Sequence, residues 1–324
     1  MLECRFLLRI PMSHLLLTRK QSADLGITGI ESCIGNGKAK IVWAAEESKM
    51  SAQEKSSGDS RLKPVQLKSF KRKNDKLLVC LTAYTAPVAE ILDKHAEVLL
   101  VGDSLGMVVY GFDNTLPVTL DMMIQHGAAV VRASKRACVV VDLPFGSYEG
   151  SKEAAFNTAS RMLRETQAQA VKLEGGEHLV ETVGFLTTRG IPVMGHIGLT
   201  PQAIKQLGSY GPRGRSETEA ESIRNSAKAL EEAGAFSIVL EGVPVDLAAD
   251  LAAQVDVPII GIGAGHVTDG QILVSDDMFG LFRNFKPKFV RRFGNVADVI
   301  DKAAGDYRAA VLDGTFPGKE ETYK

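Results

Sequence analysis

The chain has 324 residues, of which 45% are hydrophobic and 24% charged, as expected of a soluble globular protein with a sizeable core. Its net charge of −1 and the lack of an apolar run near the roughly 20 residues of a membrane span argue against nucleic-acid and membrane partners. The four cysteines form no C-x-x-C pair, which favours reduced thiols and a cytoplasmic protein.

The N-terminal segment is expected to lie outside the main fold. Residues 1–49 are interpreted as an extension, either an over-extended reading frame or genuine targeting or accessory sequence. The first alternative is favoured because Met50 opens a polar stretch of the kind that often begins a soluble protein. Arg5 and Arg9 give the start a faint likeness to a targeting peptide, but its apolar stretches are short and broken. Residues 50–76 are polar and predict a flexible arm or a short helix.

Eight short apolar segments recur from residue 77 onward and alternate with helical patterns, as in βα units around a parallel sheet. The strand candidates begin at Leu77, Val98, Cys138, Ala170, Ile191, Ser237, Pro258 and, more weakly, Gln271. The helical pattern SETEAESIRNSAKALEEAG ends at Gly234, a suitable C-cap. Eight such units predict an α/β fold, a (β/α)8 TIM-type barrel over residues 77–324, rather than a doubly wound sheet. The tail from about Lys286 predicts one or two helices packed on the outside of the barrel.

Ionisable residues stand at the C-terminal ends of five successive strands, where a barrel of this type places its active site. In chain order they are Asp103 (followed by Ser104), Asp142, Lys172 and Glu174, His196, and Glu241. Each follows an apolar run, where an unpaired ionisable group is costly to bury. Five consecutive strands with this ending favour a shared site over ordinary loop charges.

Three of these residues, Asp103, Asp142 and Glu174, predict a hard oxygen site suited to Mg²⁺. A magnesium ion held by few carboxylates leaves positions for the keto and carboxylate oxygens of a 2-oxo acid. As a Lewis acid it would stabilise the enolate that forms when the neighbouring carbon loses a proton. Ser104 and Lys172 would help to hold the substrate oxygens, and an internal salt bridge with Glu174 is the other interpretation of Lys172.

Glu241 stands apart from the metal group and is the candidate proton acceptor, with a ligand role or a structural ion pair as alternatives. His196 is interpreted as a substrate contact or as a satisfied structural histidine. The glycine-rich turn 261–265 fits an anion site or tight turn geometry alone. The loops 108–119 and 208–215 fit mobile covers over the site or plain surface loops.

Several sequence blocks resemble the ketopantoate hydroxymethyltransferase (3-methyl-2-oxobutanoate hydroxymethyltransferase) family. They are VLLVGDSLGM, TLPVT, VVDLPF, VKLEGGEHLVETV, GHIGLTPQ, VLEGVP and IIGIGAGHVTDGQILV, in the family's order from about Leu77 to the C-terminus. The resemblance implies a (β/α)8 barrel of the phosphoenolpyruvate/pyruvate type, usually in a homo-oligomer. It also implies hydroxymethyl transfer from 5,10-methylenetetrahydrofolate to 3-methyl-2-oxobutanoate, giving 2-dehydropantoate in the first step of pantothenate biosynthesis.

The resemblance also implies roles for individual residues, and they are the residues that the strand ends indicate. The metal ligands would be Asp103, Asp142 and Glu174, and the proton acceptor Glu241. The substrate contacts would be Asp103, Ser104, Asp142, Lys172 and His196. Two alternatives have less support: a lyase of the same barrel superfamily typically carries a K-K-C-G-H-type loop that is absent here, and a non-catalytic barrel would have lost a ligand or the base.

Overall fold

A computed structural model describes residues 61–71, 76–283 and 286–323. The interpretation of residues 1–49, and part of that of residues 50–76, falls outside these ranges. Residues 64–70 form a short α-helix (α1, Pro64–Leu67) that continues as a 3₁₀ turn (η1, Lys68–Phe70). No described helix is long and apolar enough to cross a membrane.

Eight parallel strands close into a barrel, which confirms the predicted fold. They are β1 (Leu78–Thr82), β2 (Val98–Val101), β3 (Cys138–Asp142), β4 (Ala170–Glu174), β5 (Val193–Gly198), β6 (Ser237–Glu241), β7 (Ile259–Ile262) and β8 (Gly270–Leu273). Each strand pairs with the next, and β8 returns to pair with β1. At this closing seam a Cβ on Gly270 would lie 2.5 Å from the Leu78 carbonyl oxygen, so only glycine fits there.

Helices surround the strands, and at least one helix lies in the chain between most pairs of successive strands. They are α2 (Ala86–Leu92), α3 (Leu105–Val108), α4 (Leu120–Ala133), α5 (Lys152–Thr166), η2 (Glu177–Leu179), α6 (Val180–Thr187), η3 (Pro201–Ala203), α7 (Ile204–Leu207), α8 (Glu217–Glu232), α9 (Val245–Gln254), α10 (Ser275–Phe279) and α11 (Val296–Leu312). Hydroxyl side chains cap three of the long helices at Thr119, Ser151 and Ser216, each accepting a backbone N–H of the first turn. Gly234, with φ of +94°, follows α8 and confirms the predicted stop.

The period of two along each strand divides the core into two layers. Val139 and Val141 of β3 face the surrounding helices, whereas Cys138 and Val140 pack inside the barrel. Asp142 continues the inward series at the C-terminal end of the same strand. The other strands follow the same alternation, so the interior is apolar at its base, where Leu67 of α1 also packs, and polar at the opposite end.

The C-terminal tail differs from its prediction in one respect. A helix is present, α11, but none of its residues is buried against the barrel. Ile300, Tyr307 and Leu312 each expose more than half of their surface. Apart from the ring contact between Tyr307 and Phe316 within the tail, the apolar side chains of α11 therefore stay largely exposed in the part of the chain that the structure describes.

Candidate active site

A cavity of about 850 Å³ opens at the C-terminal ends of the strands. All the residues that the strand ends indicate line it: Asp103, Ser104, Asp142, Lys172, Glu174, His196 and Glu241. Residues of both predicted cover loops, such as Asp113 and Tyr210, also line it, as do Gly263 and Gly265 of the glycine-rich turn. The barrel thus brings side chains that are far apart in the sequence into one concave site.

The inward series of each strand explains why these side chains meet. Lys172 and Glu174 alternate with Val171 and Leu173 of β4, which face the helices. Glu241 ends β6, where Gly198 at the end of β5 approaches its backbone carbonyl. With φ of +88° and no room for a Cβ, Gly198 is the residue type that permits this approach.

A lysine and three carboxylates form the buried centre of the site. The Asp103 backbone N–H donates to Asp142 Oδ2 at 3.0 Å, and Lys172 Nζ lies 3.1 Å from Asp142 Oδ1. Lys172 Nζ also lies 3.7 Å from Glu174 Oε1, so the internal ion pair considered for Lys172 is present together with a closer one to Asp142. Only 3% of the Lys172 side chain is exposed. The ammonium group is therefore held among the carboxylates with almost no access to bulk water.

Burial and mutual repulsion change the acidity of these groups. Burial raises the pKa of Asp103 well above its ordinary value, and the charges of Glu174 and Asp142 raise it further. Burial also raises the pKa of Asp142, with Lys172 acting in the opposite direction. For Lys172 burial lowers the pKa, but the carboxylates of Asp142, Glu174 and Asp103 outweigh burial and raise it. At Glu174 burial also raises the pKa, but His196 and Lys172 outweigh burial and lower it. Another cation would therefore be favourable at Asp103 and Asp142, where the carboxylates are less well balanced.

His196 links the buried centre to Glu241. Its Nδ1 lies 3.2 Å from Glu174 Oε1 and 3.1 Å from Lys172 Nζ, and its Nε2 lies 3.3 Å from Glu241 Oε2. The Nε2 contact is electrostatic rather than a well-aligned hydrogen bond. Burial and Lys172 lower the pKa of His196, but Glu174 and Glu241 outweigh them and raise it to about 9. Glu241 is thus oriented by a histidine while its side chain, 14% exposed, faces the cavity.

Two buried residues that the sequence did not single out support the carboxylates. Gln202 Nε2 donates to Asp103 Oδ2 at 2.9 Å and to the Leu143 carbonyl at 3.0 Å, and its backbone N–H donates to Glu174 Oε2 at 2.9 Å. The Tyr148 hydroxyl lies 2.6 Å from Gln202 Oε1 and accepts the Glu174 backbone N–H at 3.1 Å. Gln202 could have been predicted from the sequence, because it lies shortly after the C-terminal end of β5. Tyr148 lies in a loop, and no feature of the sequence there indicates a role in the site.

A third residue, Tyr84, acts on the proposed substrate contact Ser104. Its hydroxyl lies 2.9 Å from Ser104 Oγ, and the tyrosine is buried after the end of β1. The orientation of Ser104 is therefore set from the neighbouring strand.

The carboxylates were tested as ligands for the expected magnesium ion. Within the described ranges, no three or more His, Cys, Asp or Glu side chains could hold a metal ion as they are placed. The reason is that Asp103 and Glu174 turn towards Gln202, and Glu174 also towards His196. Asp142 Oδ1, however, is buried and, apart from its ion pair with Lys172 Nζ, has no hydrogen-bond partner in the described residues. Three hard oxygen donors, two of which have a raised pKa partly because of the Glu174 charge, suit Mg²⁺ in kind and in charge.

The chain was compared with protein families and curated proteins. The family model described as ketopantoate hydroxymethyltransferase matches residues 61–319. A 3-methyl-2-oxobutanoate hydroxymethyltransferase of Sinorhizobium medicae is 56% identical over 264 residues, covering 82% of this chain and 96% of the relative. The protein of the same name from Rhodospirillum centenum is 58% identical over 252 residues, covering 78% and 92%.

Solved structures with the same fold have little sequence in common with the chain. A phosphoenolpyruvate phosphomutase from Streptomyces platensis subsp. rosaceus has a TM-score of 0.53 at 10% identity, over 81% of this chain and 92% of the other. A 2,3-dimethylmalate lyase, described as a member of the PEP mutase/isocitrate lyase superfamily, has a TM-score of 0.51 at 14% identity, over 81% and 88%. These similarities show a shared fold.

Proposed function

The chain belongs to the ketopantoate hydroxymethyltransferase family, and from this premise we propose that it transfers a hydroxymethyl group from 5,10-methylenetetrahydrofolate to 3-methyl-2-oxobutanoate. The product would be 2-dehydropantoate, in the first step of pantothenate biosynthesis. The name shared by the curated relatives supports the acceptor and the transferred group. The observation that carries the proposal is that the carboxylates, Lys172, His196 and Glu241 line one cavity.

The buried centre would bind the 2-oxo acid. Asp103, Asp142 and Glu174 would hold Mg²⁺, which when bound supplies a Lewis acid that polarises the keto group. The Lys172 ammonium would balance the charge of the substrate carboxylate. The Ser104 hydroxyl, held by Tyr84, would donate to a substrate oxygen. In this low-dielectric site such contacts are stronger than in water.

Glu241 would remove the proton from the branched carbon of the oxo acid. It has the two properties of a general base here, since it faces the cavity and lies apart from the carboxylates that would hold the metal. The nearby His196 would keep the carboxylate of Glu241 in one orientation. Loss of the proton leaves the branched carbon able to form a bond to the folate-borne methylene carbon. Water would supply the hydroxyl oxygen of the product, and the carbon–nitrogen bonds of that methylene would break to release tetrahydrofolate.

One assay tests this proposal without the folate. The purified protein, given 3-methyl-2-oxobutanoate and Mg²⁺ in deuterated water, is expected to exchange the branched-carbon proton, which NMR detects. Addition of 5,10-methylenetetrahydrofolate should then yield 2-dehydropantoate, identified by mass spectrometry. Absence of both exchange and product, in protein that is folded, would refute the proposal.

We further propose a cytoplasmic homo-oligomer. The described cysteines, Cys80 and Cys138, are buried free thiols, which suits a reducing compartment. The exposed apolar side chains of Ile300 and Leu312 on α11 support a contact with a second copy of the chain. Light scattering after size-exclusion chromatography should show an oligomer that Ile300→Ser with Leu312→Ser weakens, and a monomeric wild type would contradict this.

A further inference from the structure

The cavity is larger than the proposed oxo acid requires. About 850 Å³ is in the range of sites for drug-sized ligands, whereas the substrate has five carbons. Most of the charged lining residues belong to the strand ends. Much of the remaining wall is apolar and includes Met107, Val108, Leu199, Tyr210, Phe282 and Phe289. A second, flatter and less charged ligand would fit against this part.

One carboxylate of this lining, Asp277, lies outside the buried centre; Asp113 and Lys288 are also charged lining residues. Asp277 lies in α10, directly after β8, lines the cavity and is 9% exposed. Its side chain accepts no hydrogen bond and forms no close ion pair with any residue that the structure describes, although the Arg292 guanidinium is near enough to lower its pKa. By contrast, the Asp276 side chain is close to Ser275 Oγ, at 3.3 Å, and does not line the cavity. A nearly buried carboxylate that accepts no hydrogen bond is costly, and a ligand with hydrogen-bond donors would reduce that cost.

Two other features of the same wall are suited to a planar ring. Phe289 is 39% exposed, lines the cavity, and packs against Gly263, where a Cβ would lie 2.9 Å from its ring. Thr115 is also a lining residue, and its Oγ1 is buried without a hydrogen-bond partner. An aromatic face, together with a hydroxyl and a carboxylate that have no hydrogen-bond partner in the described residues, suits a flat heterocycle that has N–H groups on one edge.

We propose that Asp277 binds the 2-aminopyrimidine edge of the reduced pterin, with the ring against Phe289, in the part of the cavity beside the oxo-acid site. This inference rests on the proposed function, which supplies a folate as the donor. The pterin edge carries a ring N–H next to an amino group, and the two oxygens of one carboxylate can accept both. The folate would then lie in the same cavity as Glu241 and the branched carbon of the acceptor.

The test measures the binding of tetrahydrofolate, which lacks the transferable carbon, by calorimetry in the presence of 3-methyl-2-oxobutanoate and Mg²⁺. Asp277→Asn is expected to weaken binding by about 10- to 100-fold, the effect of losing hydrogen bonds to a charged acceptor. Asp276→Asn is the matched control and should bind within about twofold of the wild type. The thermal unfolding of each variant shows whether it is folded.

A ligand analogue keeps the inference falsifiable if Asp277→Asn does not fold. Tetrahydrofolate without its 2-amino group should bind the wild type about 10-fold more weakly than tetrahydrofolate does. If Asp277→Asn does fold, it should bind the two ligands equally well. Equal binding of both ligands by the wild type overturns the inference. So does tetrahydrofolate binding by Asp277→Asn that equals that of the wild type. If the wild type binds no tetrahydrofolate at all, the folate donor itself is refuted, while proton exchange still reports separately on the oxo-acid site.

Discussion

Replacement of Gln202 by leucine tests whether this residue holds the carboxylates in place. Leucine has a similar size but cannot donate, so Asp103 Oδ2 and the Leu143 carbonyl each lose a partner in a buried environment. A buried polar group without its partner costs about 1–3 kcal/mol. For two such groups, Gln202→Leu should lower the free energy of unfolding by about 2–6 kcal/mol.

Tyr148→Phe is the matched partner because its hydroxyl contacts Gln202 Oε1 and the Glu174 backbone N–H. Alone it should cost about 1–3 kcal/mol. Since both variants remove the same tyrosine–glutamine hydrogen bond, the double variant should be less destabilised than the sum of the two, by about 0.5–3 kcal/mol. Equilibrium unfolding in denaturant, followed by circular dichroism, measures all four proteins. If the two effects simply add, within about 0.5 kcal/mol, the two residues do not act as one network.

Three other substitutions test separate parts of the site. Glu241→Gln should lower turnover and proton exchange by about 10²- to 10⁴-fold, while calorimetry should show that the oxo acid still binds. Near-normal turnover of this variant would exclude Glu241 as the base. Asp142→Ala should weaken Mg²⁺ and oxo-acid binding together by at least about 10-fold, and loss of only one of them would contradict a shared site. The pKa of Asp277, raised by burial from 3.8 to about 6, means that its ionised form opposes folding. Solvent screening reduces the corresponding energy to about 1 kcal/mol. In thermal unfolding, Asp277→Asn should therefore stabilise the protein by that amount above about pH 7, where the carboxylate is ionised, and have no effect below about pH 4. An equal gain in stability at both pH values would refute this sign.

The barrel could be predicted from the sequence because its signals are local. Each strand is an apolar run bounded by polar or turn residues, and β3 from Cys138 to Asp142 shows this most plainly. The ends of these runs also indicated the site, since parallel strands in a closed barrel all end on one side. This geometric rule is why Asp103 and Glu241, which are distant in the sequence, could be placed in one cavity.

The contacts between these residues could not be predicted in the same way. Whether Lys172 pairs with Asp142 or with Glu174 depends on rotamers and on the register of β3 against β4, where Asp142 pairs with Lys172. Tyr148 reaches Glu174 from a loop, a position that no periodicity marks. The packing of α11 was predicted wrongly because an apolar helical face indicates that a surface will be covered, but not by which part of an assembly.

The seam between β8 and β1 has a consequence for how the enzyme is made. By the time a ribosome has added Glu241, every residue assigned to the oxo acid has been synthesised, yet two strands are still missing. The ring can close only when Gly270 arrives and fits beside Leu78 without a side chain. Catalytic competence therefore comes late in translation, and its recovery during refolding would report that the ends of the sheet have joined.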